Sequence, residues 1–243
     1  AEPEISFGDD PLRMLRAARF AAQLSMVPAP DVVLAMEAMA ERISIVSAER
    51  VRDELSKLLL ADDPRPGLDL LVGTGLAAQV LPELPALQLE RDEHHRHKDV
   101  YEHSLTVLDQ AIALEARLPV RPDLVNRLAA LLHDIGKPKT RRFEAGGKVS
   151  FHHHDVVGAK LARKRLTELR YPTDVVKAVC DLITLHLRFH GYGPGEREDG
   201  GWTDSAVRRY VRDAGDQLER LHVLTRADCT TRNRARAARL SAA

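Results

Sequence analysis

The stretch LVNRLAALLHDIGKP (residues 124–138) keeps a helical apolar pattern up to a His-Asp pair and then meets Gly136 and Pro138. Gly and Pro end helices. The spacing therefore predicts a helix over about 122–136 with His133 and Asp134 at its end, where a core gives way to an opening. Neighbouring helical residues point about 100° apart, so both side chains can reach an ion between their directions.

Working outward, nearly every segment has the same period. DDPLRMLRAARFAAQL (9–24) puts Leu12, Leu15, Ala18 and Ala22 on one stripe with Arg13 and Arg16 beside it. Pro28 and Pro30 break the chain before DVVLAMEAMAERI (31–43), and Ser47 opens SAERVRDELSKLLLA (47–61), which closes at Asp62-Asp63-Pro64. Further helices are expected over roughly 66–81, 99–117, 155–170, 172–189, 203–214 and 216–240. The one strand signal is RRFEAGGKVSF (141–151), a hairpin with Gly146-Gly147 at its tip. The expected class is all-α with one small β-hairpin. Apolar periodicity lapses in RDEHHRHKD (91–99), which divides the chain into 1–90 and 91–243, and GYGPGEREDGGW (191–202) reads as an exposed loop. No internal repeat of usable quality is present.

Composition fits a folded, reduced, cytoplasmic protein. Apolar residues make up 44 % of 243 and charged residues 30 %, enough for a sizeable core. Apolar runs such as VVLAM are far too short to span a bilayer, so no membrane association is expected. Two cysteines, Cys180 and Cys229, do not make a disulfide framework. Net charge is zero, but residues 1–90 carry 15 acidic and 8 basic groups, whereas 91–190 carry 13 and 18. Local basic patches, KLARKRL (160–166) and RADCTTRNRARAAR (226–239), are either solvated helix faces or phosphate contacts.

Four further motifs supply metal-type donors: His103 in YEHSL, His154 in FHHHD, His186 in LITLHLR and Asp228 in LTRADC. Imidazole and carboxylate together suit Mg, Mn, Ni, Fe or Zn without a thiolate. Asp134 has two oxygens and can bridge two ions, which together activate a water and clamp a phosphate ester. Lys137, three residues after His133-Asp134, either balances charge on a phosphate or is a cation favoured at a helix C-terminus. Other histidines compete. His152 shares a strand face with His154, and His190 follows His186 by one helical turn. His94 and His95 read as exposed, His97 as exposed or touching substrate, and His222 as structural.

The ordered set His…His-Asp…His…His…Asp resembles the HD phosphohydrolase superfamily. That resemblance implies an HD helical bundle in which His103, His133, Asp134 and Asp228 hold a first metal and His154 and His186 a second. It also implies a catalytic centre at His133 and Asp134, assisted by Lys137. The N-terminal third, FGDDPLRMLRAARFAAQL followed by AERVRDELSKLLL, resembles the neck of bacterial class II tRNA nucleotidyltransferases, the CCA-adding enzymes and their poly(A) polymerase relatives. Their base-templating motif falls on Asp9, Asp10 and Arg13. Asp10 and Arg13 share a helix face. A carboxylate accepting from an exocyclic amine beside a donating guanidinium favours CTP and ATP over UTP. Asp10 is equally suited to cap the helix that Pro11 begins.

The resemblance implies a helical neck and body over 1–90, an HD domain with a helical tail over 91–243, and the tRNA 3′ end as partner. Nucleotide addition further needs Mg held by paired carboxylates, yet no Asp-x-Asp occurs in the chain. The expectation is a C-terminal fragment whose sheet-containing head precedes Ala1. Two alternatives stand beside it: a stand-alone HD nucleotide phosphohydrolase, and an RNA-binding module with a structural HD site.

Overall fold

The computed structural model describes residues 2–89, 100–144, 149–188 and 203–229. Local chemistry starts its helices where the sequence places caps. Asp10 Oδ1 accepts the Leu12 amide at 3.2 Å, beginning α2 (Leu12–Leu24) directly after α1 (Pro3–Asp9). Pro30 opens α3 (Pro30–Met39), which tightens into a 3₁₀ turn before α4 (Ala48–Leu59).

The single helix expected over 66–81 is two, α5 (Arg65–Gly73) and α6 (Leu76–Val80). Gly75 lies between them at φ 77°, a left-handed conformation that favours glycine and cannot continue a right-handed helix. Gly67 lets α5 lie flat on α2, since an added Cβ would meet the Ala18 carbonyl at 2.5 Å.

α7 (Val100–Leu114) runs on into a 3₁₀ turn, and α8 (Leu124–Leu132) is capped by Asp123, whose carboxylate accepts the Asn126 amide. α8 stops at Leu132, shorter than expected, and a run of turns leads to the brief α9 (Lys137–Thr140). The strands β1 (Arg142–Phe143) and β2 (Val149–Ser150) pair antiparallel, Arg142 against Ser150 and Phe143 against Val149. The Gly146-Gly147 tip lies outside the described residues. α10 (His154–Glu168), α11 (Thr173–Leu185), α12 (Asp204–Ala214) and α13 (Leu218–Asp228) complete an all-α fold with one hairpin. Among the described residues no helix is long and apolar enough to cross a membrane.

α8 packs against α7, α11 and α13, and α10 covers α11. One buried apolar cluster runs from Phe7 to Ala227, through both the N-terminal helices and this bundle. Polar clasps reinforce the junction: Arg165 grips Glu83 at 2.9 Å, Arg65 grips Asp109 at 2.8 Å, and Tyr171 meets Ser56 at 3.0 Å.

The deepest clasp is Arg127. Its guanidinium takes both oxygens of Glu115 at 2.9 and 2.8 Å and donates to the Leu59 and Ala61 carbonyls at 2.7 and 2.6 Å. Both side chains are buried. Breaking such a pair costs about 3–5 kcal/mol because the partner charge is left buried alone. Arg127→Met should therefore lower the free energy of urea unfolding by about that amount, and Arg127→Met with Glu115→Leu should recover roughly half of it. A single variant as stable as the parent would show that Arg127 does not tie the bundle to the N-terminal helices.

Candidate metal centre

Every expected ligand sits in a terminal turn of a helix or within two residues of its end. His103 lies in the first turn of α7, and His154 is the first residue of α10. His133 and His186 directly follow α8 and α11, and Asp228 ends α13. The helices thus bring their ends, not their middles, to one place. His133 and Asp134 are its floor, 0 % and 2 % exposed, rather than an edge facing an opening. The accessible side is formed by His103, Asp228 and Lys137.

The donor atoms form two groups that share Asp134. In the first, His103, His133 and Asp134 bring ligand atoms within 4.8 Å of one another. Asp134 Oδ2 lies 3.2 Å from His133 Nε2 and 3.6 Å from His103 Nε2. Asp228 Oδ1 joins this group, 3.0 Å from His103 Nε2 and 3.6 Å from His133 Nε2. In the second, Asp134, His154 and His186 come together, with Asp134 Oδ1 3.3 Å from His154 Nε2. The carboxylate thus turns one oxygen to each group. The imidazole rings form a row, with centroids 5.3 Å apart for His103–His133 and His133–His186 and 5.4 Å for His154–His186.

Backbone carbonyls orient three of these rings. His133 Nδ1 lies 2.8 Å from Ala130 O, His154 Nδ1 2.7 Å from Phe151 O, and His186 Nδ1 2.6 Å from Ile183 O. A carbonyl only accepts, so each Nδ1 carries a proton and donates it. That leaves each Nε2 as the donor atom for a ligand when the ring is neutral. Ala130 and Ile183 are available because the last carbonyls of a helix have no partner within it. These second partners have no signature in the sequence, since any residue supplies a carbonyl.

The carboxylates of the cluster are held ionised by the cationic groups around them. Burial alone would raise the Asp134 and Asp228 carboxyls, but His133, Lys137 and His103 outweigh it and hold both well below the usual carboxylate range. For His133 burial opposes charge, yet Asp134 and Asp228 push it up to about 10. His186 goes the other way: burial, then the charge on His133, takes it down to about 4, so it is a neutral donor. His186 Nε2 is fully buried and has no hydrogen-bond partner among the described residues. Lys137 Nζ meets Asp134 Oδ2 at 2.7 Å. Its place is the start of α9, not the end of α8, so the helix C-terminal account of it does not apply. Imidazole and carboxylate donors at this density fit a divalent ion.

The competing histidines separate cleanly where they are described. His152 is exposed, 3.5 Å from Glu144, while His154 is buried among the ligands. His222 is on the surface of α13, stacked on Tyr210. His94, His95, His97 and His190 lie outside the described residues. Of the basic clusters, Lys160, Arg163 and Lys164 are exposed, whereas Arg165 is held by Glu83.

Asp10 and Arg13 lie elsewhere. Asp10 accepts the Leu12 amide at the start of α2 and pairs with Arg50 at 3.0 Å, and Arg13 donates to Ser6 Oγ at 2.9 Å. Arg13 also lines an open cleft of about 580 Å³ with Arg16, Arg19, Phe20, Glu54 and Lys57.

A close backbone approach sets the distance between Asp134 and His154. A Cβ on Gly136 would fall 2.0 Å from the His154 carbonyl and 2.7 Å from the Gly158 amide. Gly136→Ala should therefore cost about 1–3 kcal/mol of stability in urea and shift the His154 imidazole resonances, because the loop must lift off α10. Gly73→Ala, where the added carbon meets nothing within 4 Å, should be neutral or slightly stabilising. Equal effects would remove the packing account of Gly136.

Comparison with known proteins follows the same division. Residues 100–233 match the model of the HD domain, and residues 26–87 match "Probable RNA and SrmB-binding site of polymerase A". The chain is 40 % identical over 184 residues to the A-adding tRNA nucleotidyltransferase of Deinococcus radiodurans, covering 73 % of this chain and 42 % of that one. It is 35 % identical over 229 residues to the CC-adding tRNA nucleotidyltransferase of Thermus thermophilus, covering 90 % and 49 %. The Multifunctional CCA protein of Neisseria gonorrhoeae is 34 % identical over 193 residues, covering 77 % and 45 %. The chain thus spans less than half the length of these curated relatives. With the matched residues bracketing the His and Asp cluster, the chain belongs to the HD domain family and is related along most of its length to tRNA nucleotidyltransferases of the CCA-adding type.

Proposed function

We propose that this chain carries a divalent-metal phosphohydrolase centre within the neck, body and HD domain of a tRNA nucleotidyltransferase, with residues 1–90 as neck and body and 91–243 as HD domain and tail. The observation that carries the hydrolase reading is Asp134, whose two oxygens face two separate sets of imidazole Nε2 atoms. His103, His133, Asp134 and Asp228 hold one ion; His154 and His186, with Asp134, hold a second. A bound ion supplies Lewis acidity and a water of lowered pKa beside a phosphate oxygen. The protein's part is orientation: carbonyls fix His133, His154 and His186 as Nε2 donors. Lys137 balances charge on a phosphate ester once its ammonium leaves Asp134 Oδ2.

The templating role of Asp10 and Arg13 rests on the motif and on the placement of Arg13 at a cation-lined cleft. In the whole protein that role implies CTP and ATP as substrates, Mg for nucleotide addition, and the tRNA 3′ end as partner. A second reading, a structural HD site in an RNA-binding module, is favoured by one contact: Lys137 already neutralises the shared carboxylate.

Metal-loaded chain should hydrolyse a nucleoside 2′,3′-cyclic phosphate or bis-p-nitrophenyl phosphate. Turnover should stop with EDTA and with His133→Ala, and Asp134→Ala should lose most of the bound metal by elemental analysis. Lys137→Ala should raise KM more than it lowers kcat. Metal-loaded chain that turns over none of these esters would leave the structural reading standing. Supplied with tRNA lacking its 3′ end, CTP, ATP and Mg, the chain alone should add no nucleotide, and extension by a preparation free of other transferases would contradict the fragment reading.

A further inference from the structure

The segment between Asp134 and His154 is tied to the metal centre at both ends. Arg142 follows Asp134 by eight residues, Ser150 precedes His154 by four, and these two residues pair across the hairpin. The outer surface of this segment is unlike the core around it. Phe143 is 72 % exposed. The Arg141 guanidinium lies 4.7 Å from the centre of its ring. Lys139, Arg142, His152 and His153 are exposed alongside, and Glu144 is the one carboxylate among the described residues 137–144 and 149–153.

An aromatic ring left in water beside guanidinium groups has a specific use in nucleic-acid recognition. Every base has a π-face that can stack on it, and cations beside it follow the phosphates. Val149, buried opposite Phe143, anchors the second strand to the protein and so fixes the position of the first. His153 contributes through its backbone: at φ 62° it turns the chain so that His154 enters the cluster while His152 and His153 stay outside. The segment therefore has a stacking and phosphate-binding exterior on the same short stretch of chain whose ends supply ligands.

We propose that α9 and the hairpin form a platform for the single-stranded 3′ end of a polynucleotide, with Phe143 stacking a base and Lys139, Arg141 and Arg142 contacting phosphates. This rests on the hydrolase reading above and narrows it: the end of a chain is preferred over a free mononucleotide. A surface reaching from α9 to β2 suits several nucleotides.

The test is binding by the full 243-residue chain in EDTA, where no turnover occurs, read by fluorescence anisotropy of a labelled four-nucleotide RNA bearing a 3′-phosphate. Phe143→Ala should weaken binding at least about fivefold and Phe143→Trp should restore it, because any aromatic ring can stack. Arg142→Ala should flatten the dependence of affinity on salt by about one phosphate contact. Val120→Ala, another exposed apolar side chain, should leave affinity unchanged. Equal affinity of Phe143→Ala and the parent overturns the platform, even if metal-loaded protein hydrolyses simple esters. Weakened binding by Phe143→Ala in a protein that hydrolyses no ester upholds the platform and overturns the hydrolase reading alone.

Discussion

The most deeply buried tie between the N-terminal helices and the bundle is a guanidinium. Arg127 lies in the middle of α8, the helix that delivers His133 and Asp134, and its donors are consumed by Glu115 and by two carbonyls at and just beyond the end of α4. Leu59 ends α4 and Ala61 lies two residues past it, where intrahelical partners are missing. The N-terminal helices therefore seat α8 as well as flanking it. If α8 shifted along its axis, Asp134 would leave the histidines that surround it.

The same shortage of partners explains why the ligands gather at helix ends. A histidine just past the last turn can fold back onto a carbonyl three residues earlier, as His133 and His186 do. That contact satisfies an orphan acceptor and fixes the ring at once. A histidine in mid-helix finds those carbonyls already bonded. The two-group arrangement then needs a close approach of backbones, which Gly136 allows by having no side chain where the His154 carbonyl passes.

Much of this was legible in the sequence. Period-3.6 stripes predict the helices, and the spacing of His103, His133-Asp134, His154, His186 and Asp228 draws attention to residues that the fold brings together. Other features were not legible, for physical reasons. Arg127 reads as a lone charge in an apolar run, and its burial depends on Glu115 and on carbonyls more than sixty residues away. Gly75 reads as a tolerable helix residue until its positive φ splits 66–81 in two. A basic run such as KLARKRL contains both kinds of cation, Arg165 held by Glu83 and its neighbours open to solvent, and the letters alone do not distinguish them.

His103 and Asp228 stand 3.0 Å apart in space and 125 residues apart in the chain. Contacts of such long separation form late, because a large loop must close before they are made. A ribosome making this protein releases His103, the His133-Asp134 pair, His154 and His186 before Asp228 emerges. The first ligand group is thus incomplete throughout most of synthesis and closes only when α13 docks. A premature stop between His186 and α13 yields a product that retains all four histidines yet has lost the carboxylate that closes the cluster. Closure of the first ligand group therefore waits on the docking of α13.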